Sequence, residues 1–327
     1  MTVLAIALQE DGGVPRASLE ALTVARGLAT TAGVPLAVAT IGSVADDAAA
    51  VLREHGAATV HALVHPRLDD YAPAAWAAAL SERIHHLDPR AVVGPGTDRG
   101  NEVLAHLAAR LDLPLAANCT EVAVDGDAWS LTRLRWGGVL LEDARLQAPR
   151  ALLTVAPNQV VASVAEAPGA GEPVTVEVEV DEADLVGRVR ERVARTQGIS
   201  LATAPVVVSG GRGVGSAEGF AALEELAELL GGAVGCSRVA TNAGWRSHND
   251  QVGQTGTRVA PDLYIACGIS GATQHWVGCM ASKRILAINT DPEAPMVTRA
   301  HYAVVGDLHA LLPALLDEVR RRKGKAA

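Results

Sequence analysis

Short runs of β-branched or leucine-rich residues alternate with alanine-rich amphipathic stretches along most of the chain. In the first half VLAIAL, LAVATIG, VHALVH and AVVGPG read as strands, and ASLEALTVARGLA, DDAAAVLREHG and WAAALSERIHHL read as helices between them. Such alternation, continuing to about residue 155, predicts βαβ units and a parallel sheet, because parallel strands need a long crossover. From about 157 to 200 the periodicity fades, and PNQVVASVAEAPGAGEPVTVEVEVDEAD brings Pro, Gly and acidic residues instead. That stretch is expected to be a linker or an excursion between domains. The alternation resumes with PVVVSGGRG, a helix EGFAALEELAELLGG, then AVGCSR, DLYIACG, RILAIN and YAVVGD, closed by a helix from Leu308 to about Arg322. The expected fold is therefore α/β, with two doubly wound domains and mainly parallel sheets. The first covers 1–200, including a hinge region at about 157–200, and the second covers 201–327.

In the helix after Gly219, Phe220, Leu223, Leu226 and Leu230 recur at helical spacing while Glu224, Glu225 and Glu228 face away, so this helix is packing rather than chemistry. The Gly231-Gly232 pair ends it. A length of 327 residues with 49% hydrophobic side chains supplies two cores, and a net charge of -9 lacks the positive field that draws nucleic acid or anionic lipid. No apolar run approaches the roughly 20 residues that span a bilayer, so no direct membrane insertion is expected, and no basic leader precedes the first strand. The four cysteines, Cys119, Cys236, Cys267 and Cys279, form no CxxC pair and have no His at zinc-ligand spacing. Buried free thiols in a reducing cytoplasm, and no metal site, are expected.

Ligands of open α/β sheets lie beyond the carboxyl ends of the strands. In the second domain those ends are polar or glycine-rich: Ser209-Gly210-Gly211-Arg212-Gly213, Ser237-Arg238, Gly268-Ile269-Ser270-Gly271, Asn289 and Asp307. The Gly-Ile-Ser-Gly turn opens a helix, so Ser270 and the amides of Gly271 and Ala272 suit a pyrophosphate, with Arg212 as a second positive contact. Asp307 suits the hydroxyls of a ribose or ribityl chain. The loop Gln251-Val252-Gly253-Gln254-Thr255 suits the edge of a planar heterocycle, and His275 and Arg238 add positive character for an electron-rich flavin. Each element alone is weak. Ser216 occupies the third glycine position of SGGRGVGS, no P-loop is present, and a His taken singly is more often a cap or core residue.

Taken in order, SGGRG, GCSR, NAGW, QVGQTG, PDLYIACGISGATQH, AINTDPEAP and the closing GDL resemble the alpha subunit of electron transfer flavoprotein through residues 206 to 320. The first half resembles that subunit's N-terminal Rossmann-like domain. The resemblance implies FAD held mainly by the second Rossmann-like domain, with contacts from Arg212, Ser237, Arg238, Gln251, Val252, Gly253, Gln254, Thr255, Ser270, Gly271, Ala272, Thr273, Gln274, His275, Asn289, Asp307 and Leu308. It implies that Thr255 hydrogen-bonds the flavin N5, that His275 lies at O2 and that Arg238 adds charge near the ring. It further implies a heterodimer with a beta subunit and a flavin domain that swivels. Donors would be flavin dehydrogenases such as the acyl-CoA dehydrogenases of fatty acid β-oxidation, and the acceptor a membrane quinone reductase. The chain would be an electron carrier with no catalytic residues rather than an enzyme. Two departures from the family pattern stand beside the flavin loop: Arg246-Ser247-His248 where many relatives have Pro, and Asn242 where Asp is commoner.

Two rival readings differ in what they need. A dinucleotide-consuming enzyme of similar fold needs a catalytic His on a Gly-rich pocket and a four-Cys zinc site, which the scattered cysteines do not provide. An electron-bifurcating relative differs in a second flavin held by the beta subunit.

Overall fold

The β-branched runs become strands because their side chains fill both faces of a sheet that helices cover on either side. A computed structural model describes residues 2–10, 12–187, 189 and 199–325, and the chain divides into two compact units, 1–193 and 194–327. In the first unit β1 (Val3–Ile6), α1 (Arg16–Ala32), β2 (Leu36–Ile41), α2 (Asp46–Glu54), β3 (Thr59–Val64), α3 (Pro73–Leu87), β4 (Ala91–Pro95) and α4 (Asp98–Leu111) follow the expected alternation. Then come β5 (Leu115–Asp125), β6 (Ala128–Arg135), β7 (Leu140–Leu146), β8 (Ala151–Val155) and β9 (Pro173–Glu177). Their sheet has the order β7-β6-β5-β8-β4-β1-β2-β3-β9. Residues of α1 and α2 such as Leu22, Leu28 and Leu52 pack on one face, and those of α3 and α4, such as Leu80 and Leu104, on the other.

Two expectations need correction here. The alternation does not run unbroken to 155, because β6 pairs antiparallel with both β5 and β7. A two-residue Gly126-Asp127 turn joins β5 to β6, with Gly126 at φ +61, and this geometry favours glycine and sets antiparallel neighbours. Nor is the stretch from 157 a free linker through its whole length. Arg26 of α1 donates to the carbonyl oxygen and to Oγ of Ser163, each at 2.8 Å, and Asn158 N donates to Glu20 Oε2 at 2.9 Å. β9 then pairs parallel with β3 along five registered residues from Val60↔Pro173 to Val64↔Glu177. Arg67–Glu182 and Arg110–Asp184 ion pairs, with Leu185 buried, fasten the chain onward to residue 185. The remainder of the expected hinge includes 188 and 190–198, which lie outside the described residues.

The Gly94–Gly100 stretch is a βα turn. Thr97 accepts from Gly100 N at 3.1 Å and caps α4, and a Cβ on Gly100 would meet the Pro95 carbonyl. His85 and His86 are exposed and bond carbonyls of their own helix.

The second unit holds β10 (Val206–Gly210), α5 (Ala221–Leu229), β11 (Ala233–Cys236), α6 (Arg238–Asn242), β12 (Leu263–Cys267), α7 (Thr273–Cys279), β13 (Ile285–Asn289), α8 (Pro295–Arg299), β14 (Tyr302–Val305) and α9 (Leu308–Lys325). All four strand pairings are parallel, in the order β11-β10-β12-β13-β14. Phe220, Leu223 and Leu226 of the α5 region meet Leu312 and Leu316 of α9 on one face, as the apolar stripe predicts. Cys279 of α7 and Met296 of α8 pack with Tyr264 on the other. Both units are thus doubly wound α/β layers, the first with a mixed sheet and the second with a parallel one. Among the described residues no helix is long and apolar enough to cross a membrane, all four cysteines are free and buried, and no His/Cys/Asp/Glu group is arranged to hold a metal.

Candidate functional site

Strand order in the second sheet reverses between β10 and β12, and all five carboxyl ends lie along one edge. At such a switch point the connections leave toward opposite faces and open a crevice. The segments leaving β10 and β12 come together there. Gly211 N donates to Cys267 O at 2.9 Å and Gly213 N to Gly268 O at 3.0 Å. A Cβ on Gly213 would stand 2.8 Å from Gly268 Cα, and one on Gly268, at φ +63, would stand 2.6 Å from Gly213 Cα. Backbone therefore meets backbone, which only glycine permits. Arg212 projects exposed between these contacts and, like Arg238, has no ion-pair partner among the described residues.

Beyond Gly268 the turn continues through Ser270 and Gly271 into α7. Gly271 sits at φ +80 against Met296, whose amide donates to Ser270 O at 3.0 Å. Among the described residues the amides of Ser270, Gly271 and Ala272 find no hydrogen-bond acceptor. Exposed Ser270, Ala272, Thr273 and Gln274 surround them. The helix is only seven residues long, so these local N–H groups, more than a macrodipole, give the turn its positive character. Asn289 braces the turn from β13: its Nδ2 donates to Ile269 O at 3.0 Å and its Oδ1 accepts from Asp291 N at 3.1 Å.

The loop 251–257 is sewn between β11 and α7. Val252 N donates to Cys236 O at 2.8 Å and Gln254 N to Gln274 O at 2.7 Å. Gly253 lies so close to α7 that a Cβ on Gly278 would meet Gly253 N at 2.3 Å. Gln251 is buried and spends its side chain locally: Oε1 accepts from Thr241 Oγ at 3.1 Å and Nε2 donates to Thr255 Oγ at 2.9 Å. Because Thr255 accepts that bond, its own hydroxyl proton is free to donate, and Thr255 and Gln254 are both exposed.

His275, at the first turn of α7, is buried, and its Nε2 is 2.8 Å from the Tyr264 hydroxyl. Burial lowers its pKa to about 4, with the Val252 carbonyl opposing the shift. The imidazole is therefore neutral at pH 7, and the positive character expected of it is that of an N–H dipole rather than a full charge. His275 Nδ1 and Ser237 Oγ are buried and, among the described residues, complete no hydrogen bond. Orphaned polar atoms of this kind point to a group that completes them.

Four placements modify the expected set. Ser237 and Arg238 begin α6 instead of ending the strand, and Ser237 makes no side-chain cap. Asp307 already uses Oδ1 to accept from His309 N at 3.0 Å, leaving Oδ2, and neighbouring Leu308 is buried against the core. Arg246 of the departing tripeptide is held by Glu224 and Asp250 and lies over Phe220 at 5.6 Å, so it is tied to its own unit's surface. Tyr264 and Thr241, which touch His275 and Gln251, were not among the expected residues. A cavity of about 650 Å³ lies in the first unit, at the ends of β2, β3 and β9. Its lining includes Asp69, Glu177 and Glu179, which repel a pyrophosphate.

Residues 3–183 match the electron transfer flavoprotein domain and residues 200–280 the electron transfer flavoprotein FAD-binding domain. The chain is similar to the electron transfer flavoprotein subunit alpha of Thermoanaerobacterium thermosaccharolyticum, 35% identical over 318 residues and 96% of each chain. It is similar to that of Bacillus subtilis, 38% identical over 282 residues and 86% of each. The protein named FixB of Clostridium saccharobutylicum is 36% identical over 323 residues, 97% of this chain and 96% of its own.

Proposed function

The chain belongs to the electron transfer flavoprotein family as an alpha subunit, and from that premise we propose how its second unit holds FAD and what the heterodimer serves. It is an FAD-binding electron carrier that pairs with a beta subunit. We assign its donors to flavin dehydrogenases, acyl-CoA dehydrogenases among them, its acceptor to a membrane quinone reductase, and its place of work to the cytoplasm. When bound, FAD supplies the one-electron chemistry.

The residues divide that work. The free amides of Ser270, Gly271 and Ala272 and the guanidinium of Arg212 take the pyrophosphate, since among the described residues both are donors without competing partners. Thr273 and Gln274 flank them. Gln251 leaves the Thr255 hydroxyl proton free, so that Thr255 would donate to the flavin ring, while Val252, Gly253 and Gln254 would give the ring a backbone edge. Ser237 and His275 offer their unmet polar atoms, and Arg238 adds a cation that favours reduction. Asp307 accepts from a hydroxyl through Oδ2, Leu308 supports it, and Asn289 holds the phosphate turn in shape. The observation that carries this reading is the convergence of unsatisfied donors and close-packed glycines at the switch point of one parallel sheet.

The bonds that fasten 158–185 to the first unit make that part of the expected hinge region, about 157–200, an extension of the first unit. Co-expression with the adjacent beta subunit tests the whole reading. The purified pair should be yellow, with the visible bands of oxidised flavin, and Ser270→Pro, which removes one amide, should weaken FAD binding. A colourless pair that consumes NAD would refute it.

A further inference from the structure

We propose that Tyr264 is a positioning residue for the flavin: its hydroxyl fixes His275 as the tautomer protonated on Nδ1, and so turns Nδ1–H into a donor offered to the cofactor. This rests on the FAD site proposed above.

The two side chains come from different elements, the second residue of β12 and the first turn of α7, and meet at 2.8 Å between Tyr264 Oη and His275 Nε2. Tyr264 is 0% exposed. Ser209 Oγ on the neighbouring strand lies near enough to oppose the burial shift of the phenol, but among the described residues it completes no hydrogen bond with it, so His275 is the one partner within hydrogen-bond geometry. A phenol carries one proton, and a neutral imidazole carries one. If Nε2 held the imidazole proton, it would donate to the phenol oxygen and leave the phenol's own proton stranded in the core. An unmet buried donor of that kind is strongly disfavoured. If the phenol donates to Nε2, both atoms are satisfied and the imidazole proton belongs to Nδ1.

Burial favours the neutral form of each partner, raising the tyrosine well above its ordinary pKa and lowering the histidine to about 4. Both side chains are therefore neutral at pH 7. The result is an N–H on Nδ1 that is buried and completes no hydrogen bond among the described residues. The Val252 carbonyl opposes the burial shift but completes no hydrogen bond with it. Since Val252 belongs to the loop joined to α7 through Gln254 N and Gln274 O, the unmet donor lies beside the segment assigned to the flavin ring.

The test is nitrogen-15 NMR of histidine-labelled heterodimer, with FAD bound and after its removal. In both states His275 Nδ1 should show the signature of a protonated nitrogen and Nε2 that of an unprotonated one, and FAD should move the Nδ1–H proton downfield. Tyr264→Phe, checked for folding by circular dichroism, should shift the Nε2 signal, lower the flavin midpoint potential and weaken FAD binding by up to about tenfold, the equivalent of one hydrogen bond. An unprotonated Nδ1 in the wild-type protein overturns the proposal whatever FAD does. A protonated Nδ1 that FAD leaves unmoved overturns the donor role and, with the tautomer intact, traces the failure to the assigned FAD site. If Tyr264→Phe does not fold, the wild-type spectra decide alone.

Discussion

Gly271→Ala tests whether the phosphate turn is held by backbone contact. Gly271 adopts φ +80, where alanine costs roughly 1–2 kcal/mol. An added Cβ would lie 2.4 Å from Met296 N and 2.7 Å from Met296 Cα, against an ordinary contact of 3.4 Å or more. Both atoms are backbone, so no rotamer change relieves the overlap. The turn and the start of α8 must separate, losing the 3.0 Å bond from Met296 N to Ser270 O, worth about 1 kcal/mol. The total is about 2–3 kcal/mol. Gly244→Ala is the control: Gly244 has φ +73 but nothing within 4 Å of the added carbon, so only the conformational term of roughly 1–2 kcal/mol applies. Urea unfolding followed by far-ultraviolet circular dichroism should separate the two variants by about 1 kcal/mol, and FAD titration should show weaker binding for Gly271→Ala alone. Equal destabilisation of both would refute the packing argument.

The buried histidine gives a pH dependence of known sign. His275 titrates near 6.5 when unfolded and at about 4 when folded, so its contribution is complete above 6.5 and is lost as pH falls toward 4, by about 3 kcal/mol. The FAD-free His275→Asn chain should therefore lose less stability than wild type between pH 7 and pH 4. His61, also lowered to about 4 by burial and by Arg83, leaves a residual slope from the first unit in both proteins. Arg26→Ala removes the bonds to Ser163 and His55, a loss of roughly 1–2 kcal/mol at a partly exposed site. Limited proteolysis should then cut between 157 and 170 faster than in wild type, and an unchanged rate would show that this fastening does not hold the segment.

Where side-chain pattern is local, the sequence announces the element. The runs VLAIAL and LYIAC are apolar at every position because helices cover both faces of a parallel sheet, and Gly231 follows its helix because the chain turns there at φ +65. The antiparallel ribbon does not show as a βαβ unit although Asp125-Gly126 is a hairpin signal, because β5 and β7 leave alternate positions open to solvent and lack the wholly apolar runs of the parallel strands. β9 escaped for a different reason. Its alternating VTVEV lies among Pro, Gly and Glu, and its strand character comes from pairing with β3, more than a hundred residues earlier in the chain.

The candidate site divides along the same line. Glycines and polar residues that follow strands are visible in sequence, since the carboxyl ends of parallel strands share one edge. What is invisible is the partner that gives each residue its chemical state. Tyr264 reads as one more large residue of an apolar strand, and only the packing of α7 on β12 brings its hydroxyl to His275. Thr241 reads as a helix residue, yet it starts the chain of bonds through Gln251 that leaves Thr255 a donor. The residue types were therefore legible while their protonation and direction were not. The expected cation at His275 becomes a neutral donor for this reason: desolvation depends on contacts between elements, which no spacing within one element records.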